Sequence, residues 1–489
     1  MALALRRLMA GRDDVAFDRR RALQALGVGA LTPWLATSCA RQPDRPAVRD
    51  IAAIGETPVR DIVRPRSTAD IVRLLRQSQV PISIGGARCS MGGQTASPGS
   101  MHVDMRGLRG LRIDPVAMRA RVQAGASWRD LQDRLDPHGL SVRIMQSYSN
   151  FSIGGSLSVN CHGRYVGRGP LVNSVRALQL VAADGRVLEL SRERQPEFFA
   201  AVVGGYGGLG IVTEVELDLD RNERIARSAE RVALHDYPGY FAERVLADRD
   251  AVLHNADMAP PDFDGTVTVT WRRSDDPPTA VERLVPRGAD YSRQQTLIWA
   301  TSELPGGDGI RDRELTQRLL SERIVAWRNH EASLDIASLE PRTRRFSTYL
   351  LQEYFIPVPA FLDFAREMTR ILRRHDVNAL NVSIRHSPAD RDSLLRWAPV
   401  DVFSFVLYHK QRNTRAADRR AGEWTRLLVD AALDCGGRHY LPYRLHATPT
   451  QFLRAYPEAR AFAALKHRVD PANRFRNALW DRYLGAASA

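Results

Sequence analysis

Short alternating runs of apolar and polar residues dominate the chain between residues 50 and 222. "GIVTEVELDL" (residues 210–219) puts an apolar side chain at nearly every second position, the pattern of a half-buried strand. "VRALQLVAADGRVLEL" (175–190) reads as a hairpin turning at Asp184-Gly185. "STADIVRLLRQSQ" spaces its apolar residues as a helix does, with Ser67 or Thr68 as N-cap, and "VPISIGG" follows as a strand. A second strand and capped helix lie in "RARVQAGASWRDLQDRLDPHGLSV", with Ser127 at the cap and Pro-His-Gly at the exit. The order of elements is strand-rich with short helices and lacks a regular βαβ repeat. It predicts an α+β domain.

The pattern changes after residue 223. Residues 256–290 are rich in Pro and Asp around one strand, "GTVTVTW". Helices such as "AFLDFAREMTRILRRH" and "RRAGEWTRLLVDAALDCGG" then alternate with strands such as "NALNVSIRH" and "VFSFVLYHK". Helices laid over one face of an antiparallel sheet would give this order, forming a second domain. The expected organisation is a leader at 1–40, a polar linker at 41–55, a first domain at 56–222, a second at 223–470, and a segment at 471–489 returning to the first.

Composition narrows the possibilities. At 489 residues, with 44% hydrophobic and 26% charged residues, the chain has material for two or three domains with substantial cores. The net charge of +14 invites a nucleic-acid reading, but only Lys410 and Lys466 are lysines, and the arginines are scattered among carboxylates. No basic stripe with interleaved aromatics exists, so an anionic small molecule is the expected use of that charge and nucleic acid is excluded as partner. "DRRRALQ" followed by "ALGVGALTPWLA" has the order of an export leader of the twin-arginine kind, which implies a periplasmic protein exported already folded. Cys39 after Ala36-Thr37-Ser38 resembles a lipidation box and would be the only membrane anchor. Cys89, Cys161 and Cys435 have neither disulfide-framework nor zinc spacing, so no metal is expected.

Two glycine-rich loops carry the chemistry. "IGGARCSMGGQ" begins at Ile84 and "FSIGGSLSVNCHGRYVGRGP" spans 151–170. Each follows a strand-like run and offers successive backbone N–H groups unhindered by side chains, which suits a diphosphate. Neither is a G-x-G-x-x-G fingerprint or a Walker loop. Together with "VVGGYGGLGIVTEVELDL" and the C-terminal "GGRHYLPYRLHATPTQFLRAYPEARAFAALKHRVDPANRFRNALWDRYLG", they resemble the vanillyl-alcohol oxidase (PCMH-type) superfamily of FAD-dependent oxidoreductases. Within it the pattern is most similar to the aldonolactone/alditol oxidases and decaprenylphosphoryl-ribose oxidases.

That resemblance implies a PCMH-type FAD-binding domain, a substrate-side cap domain, and FAD as cofactor. Gly85, Gly86, Ala87, Arg88, Cys89 and Ser90 would wrap the pyrophosphate, with Gln94 close by. Gly154, Gly155, Ser158, Asn160 and Gly163 would meet the isoalloxazine and ribityl part, Cys161 and His162 would support that loop, and Ile211 would flank the adenine side. Many relatives have a flavin-tethering histidine where this chain has Cys89, so non-covalent FAD is the expectation and Cys89 the one candidate tether.

On the substrate side the resemblance points to Arg385, Glu353, Tyr443 and Arg444, with Tyr443 or Glu353 to accept the hydroxyl proton and Arg385 and Arg444 to orient the oxygen. Ser383 stands where alditol oxidases carry a carboxylate, and their active-site lysine falls at Tyr443, or at Arg444 with a one-residue gap. An arginine there would keep a positive charge without acting as a base, and a tyrosine could accept a proton only with a strongly lowered pKa. The implied activity is oxidation of an alcohol carbon of a sugar, polyol or lactone, by hydride transfer to the flavin. Oxygen, a quinone or a cytochrome would take the electrons. A bulky or lipid-linked alcohol or an amine is the alternative substrate, and a non-catalytic FAD-fold binding protein the alternative function.

Overall fold

The computed structural model describes residues 46–304 and 306–488. The expected leader, Cys39 and the start of the linker lie outside the described residues. The rest of that linker is not featureless, because Ala47–Val48 pairs with Thr57–Pro58 as a small ladder.

Two sheets build the first half. Asp61–Val63, Met101–Asp104 and Ile82–Gly85 form a parallel three-stranded sheet with Met101–Asp104 in the middle. The helix Thr68–Gln77 crosses over between the outer two strands. Its N-cap is Ser67, whose hydroxyl accepts from Asp70 N while the Asp70 carboxylate accepts from the Ser67 N–H, a reciprocal capping box. The larger sheet is antiparallel. Ile211–Arg221 lies between Val175–Val181 and Arg119–Gln123, and its buried positions alternate strictly, as the pattern requires. The hairpin from Val175–Val181 to Val187–Ser191 turns at Gly185, whose φ of +80° a side chain would oppose.

The second half is one eight-stranded antiparallel sheet. At its centre Ala379–Ser387, Val402–Arg412 and Ser347–Pro357 run side by side, with Ala251–Met258 beyond the first of them. Period-two alternation gives this sheet two different faces. Tyr354, Ile356, Phe405, Leu407 and Ile384 point to one side and pack under the helix Phe361–Arg374, together with its Phe361, Phe364 and Met368. Each such side chain contributes about 1.5–3 kcal/mol by leaving water, so this face sets the register of the strands. The intervening residues, including Glu353, Val406 and Arg385, must then face the first half of the molecule.

The chain changes from the first antiparallel sheet to the second between Arg221 and Arg224. Its end goes back to the first half, and the return begins a helix earlier than the expected residue 471. In the helix Ala459–Val469, Phe462 stacks on Trp480 with centroids 4.3 Å apart. The Trp480 indole N–H donates to Gly205 O at 3.1 Å.

Candidate active site

One long cleft runs between the two halves. Its floor on the first half is formed by Gly86 to Met91, by Ser152, Gly154, Gly155, Ser156 and Ser158, and by Gly205 to Gly210, three segments rich in glycine and serine. A side chain of the second loop holds it against the first. Ser152 Oγ accepts from Ala87 N at 3.2 Å, joining the first loop to the second. A Cβ on Gly86 would fall 2.0 Å from that oxygen, so no larger residue fits there. Arg88 Nε and Thr95 Oγ1 are buried and unpartnered, and both residues line the same floor.

The other wall is the face of the second sheet turned away from the helix Phe361–Arg374. Tyr349, Leu351 and Glu353 follow one another at period two along one strand, and all three line the cleft. Leu351 lies opposite Tyr408 and Glu353 opposite Val406 on the neighbouring strand, with Ser383 and then Asp257 continuing the Glu353 row. Arg385 is one pair further along, opposite Ser404, and its Nε is buried without a partner.

Glu353 is the centre of this wall. One carboxylate oxygen lies 2.5 Å from His162 Nε2, and the other accepts from the Tyr443 hydroxyl at 3.1 Å. His162 Nδ1 is buried with no partner, so Nε2 is the nitrogen that donates to the carboxylate. Phe355, Trp397 and Tyr440 box the imidazole with centroids 5.4, 4.9 and 6.1 Å away, which fixes the ring. Burial works against a charge on Glu353, but His162 beside it, then Arg385 and the Tyr443 hydroxyl, outweigh burial and hold the carboxyl below its ordinary value. Burial and the Glu353 charge push Tyr443 well above the ordinary phenol value.

A floor rich in glycine and serine, unpaired buried donors and a second wall bearing ionisable groups suits an extended ligand with a diphosphate at one end and a reacting ring at the other. Comparison with known proteins decides which. A model of the FAD binding domain matches residues 60–191, and a model of D-arabinono-1,4-lactone oxidase matches residues 268–483. The chain thus carries an FAD-binding domain of the PCMH type and an aldonolactone oxidase-like second half. FAD is its cofactor. Cytokinin dehydrogenase 2 of Arabidopsis thaliana is 33% identical over 172 residues, 34% of this chain and 34% of that protein. L-galactono-1,4-lactone dehydrogenase of the same plant is 30% identical over 169 residues, 33% of this chain and 27% of that protein. The match spans about a third or less of the length of these relatives.

Most of the cofactor-binding residues expected from the sequence line this cleft. Gly86, Ala87, Arg88, Cys89, Ser90, Gln94, Gly154, Gly155, Ser158, Cys161 and His162 all line the cleft. Gly85, Asn160, Gly163 and Ile211 do not line it, and each has a structural task instead. A Cβ on Gly85 would meet the His102 ring at 2.7 Å, and one on Gly163 would meet Met145 O at 2.1 Å. Asn160, at φ +47°, donates to Asp390 at 2.9 Å and accepts from Val172 N at 3.0 Å, tying the second loop to the cap. Ile211 is fully buried in the core, and Val212 and Gly207 to Gly210 line the cleft in its place. Gln94 supports rather than faces the ligand, since its amide donates to Leu441 O and Tyr443 O at 2.6 and 2.7 Å. Cys89 is an uncharged thiol, because burial, helped by Glu340, pushes its pKa up to about 12.

Two catalytic assignments are corrected. Arg444 lies outside the cleft, where its guanidinium pairs with Asp418 at 2.7 Å. The ungapped register is therefore the one in which the residue, Tyr443, reaches the site. Tyr443 in turn is no base, since its raised pKa makes it a hydrogen-bond donor to Glu353. Ser383 does not leave its row without a carboxylate: it hydrogen-bonds Asp257 across the ladder. The run "VVGGYGGLGIVTEVELDL" carries part of the resemblance, but of it only Ile211 is assigned to the site from the sequence, and the lining residues Tyr206 to Gly210 and Tyr148 are not.

Proposed function

We propose that the protein oxidises an alcohol carbon to a carbonyl. What carries the reading is the Glu353 carboxylate, held ionised by His162, Arg385 and Tyr443 on the wall opposite the glycine loops. FAD, when bound, supplies an acceptor for the hydride that leaves the substrate carbon. Glu353 accepts the hydroxyl proton as the carbon–oxygen double bond forms. Arg385 holds the substrate oxygen and offsets the negative charge that develops on it. Tyr443 and His162 keep the carboxylate oriented, each through one of its oxygens. The lactone dehydrogenase and lactone oxidase named among the similar proteins support an alcohol carbon of a sugar-derived lactone or polyol as the first class to screen.

The test is Glu353→Gln, which keeps the shape and removes the base. The variant is expected to retain yellow flavin, while its rate of flavin reduction by substrate in stopped flow falls roughly 100- to 10,000-fold. An unchanged rate would mean that the proton leaves by another route and would overturn the assignment.

A further inference from the structure

The cap-side wall of the cleft is poor in polar groups that a substrate could use. Tyr408 is committed, its hydroxyl donating to Leu339 O at 2.7 Å. Tyr440 donates to Val159 O at 2.8 Å. Glu340 and Arg344 neutralise each other at 2.6 Å, and Arg344 also bonds the Thr348 hydroxyl. On the facing segment Gln146 is used twice, donating to Tyr148 O and accepting from Ser156 Oγ, both at 2.8 Å. The unpartnered Ser147 Oγ is covered by protein. Among the described lining residues, Glu353, Arg385, Tyr148 and the unpartnered His162 Nδ1 are what remains to meet polar atoms of a ligand. Between and around them the lining is Leu351, Val406, Ile336 and Leu339, with the faces of Tyr349 and Tyr408 packed edge to face at 5.7 Å.

A chain carrying a hydroxyl on every carbon would bury most of those hydroxyls here without partners, and each such burial is penalised. An alkyl or aryl body would instead gain from the apolar wall. We infer that the substrate presents one reacting hydroxyl, held between Glu353 and Arg385, and at most one adjacent oxygen on an otherwise apolar or aromatic body. This rests on the proposed alcohol oxidation and narrows its substrate from a polyhydroxylated sugar to an apolar-bodied alcohol.

The experiment compares 1,2-hexanediol with sorbitol, which share a carbon chain and a terminal diol and differ only in the hydroxyls of the body. 1-Phenylethane-1,2-diol serves as the aryl probe. Binding to the oxidised holoprotein is read from perturbation of the flavin spectrum, and reduction is read separately from flavin bleaching. The two apolar-bodied diols are expected to bind roughly 100-fold or more tightly than sorbitol. Leu351→Asn, which adds an amide to the wall opposite Tyr408, is expected to narrow the gap about ten-fold.

Equal or tighter binding of sorbitol overturns the inference, as does absence of binding by all three probes. A gap untouched by Leu351→Asn also overturns it, because the body would then lie elsewhere. If the binding preference holds but no probe bleaches the flavin, the alcohol-oxidation reading falls and the apolar-body reading survives.

Discussion

At the scale of single residues, the ionisation of Glu353 has a consequence for pH. Its carboxyl is held below its ordinary value of 4.5, so the base is present above that value and is lost as pH falls through the lowered one. Flavin reduction is therefore expected to stay level from neutrality down to about pH 5 and to decline only in stronger acid. Tyr443, raised well above 10, adds no alkaline limb below that pH. Tyr443→Phe removes one group that favours the carboxylate, so its acid limb should move upward, while the plateau rate falls less than about ten-fold. A steep alkaline limb near neutrality in the wild type, abolished by Tyr443→Phe, would restore Tyr443 as a base. A pH series of stopped-flow reductions on both proteins decides this.

Among the elements, the C-terminal return supports the FAD floor from behind. Lys466, on the helix Ala459–Val469, is 2% exposed and donates to Gly208 O and Asp470 at 2.8 Å and to Phe475 O at 2.9 Å. Asn477 donates to Tyr206 O at 2.8 Å. Three side chains of the return, counting Trp480, thus hold the carbonyls of Gly205, Tyr206 and Gly208. Gly208 cannot be larger, since a Cβ there would sit 2.6 Å from Trp480 Nε1. Lys466→Met leaves the Asp470 charge buried without its cation and is expected to cost about 3–5 kcal/mol of stability. Thermal unfolding followed by flavin fluorescence should show FAD leaving at a lower temperature than in the wild type. An unchanged release temperature would mean that the helix docks without this bond.

For the whole molecule, the cofactor site exists only because two differently built halves close on each other. The first brings backbone and glycines, the second a sheet whose hidden face is fastened by helices and whose free face carries the chemistry. A flavin held in this way, beside an uncharged Cys89 thiol, should come off when the halves unfold. The thiolate is the form that attacks, and burial with a pKa of about 12 keeps it scarce. Acid precipitation of the holoprotein should leave all the yellow in the supernatant. Colour retained in the pellet and lost in Cys89→Ala would demonstrate a covalent bond instead.

The strands, caps and glycine loops were legible in the sequence because each rests on near neighbours. Period-two burial in Ile211–Arg221, the Ser67 and Asp70 capping box and the glycine clusters are all set within a few residues. Arg444 and Tyr443 could not be separated in this way. They are adjacent in the chain, and only the packing of residues 438–447 against the cap sheet and the helix Arg415–Asp434 sends one into the cleft and the other to Asp418. His162 and Glu353 are likewise 191 positions apart, and their contact is a product of domain closure. By itself the sequence determined the two-part architecture and the glycine loops that suit a diphosphate, since backbone freedom and periodicity are local properties, while its resemblance to a family named the cofactor. The tertiary structure alone decided which carboxylate is kept charged, which donors it has, and how few polar groups remain for a substrate, because charge and hydrogen-bond partnership depend on what distant segments bring together.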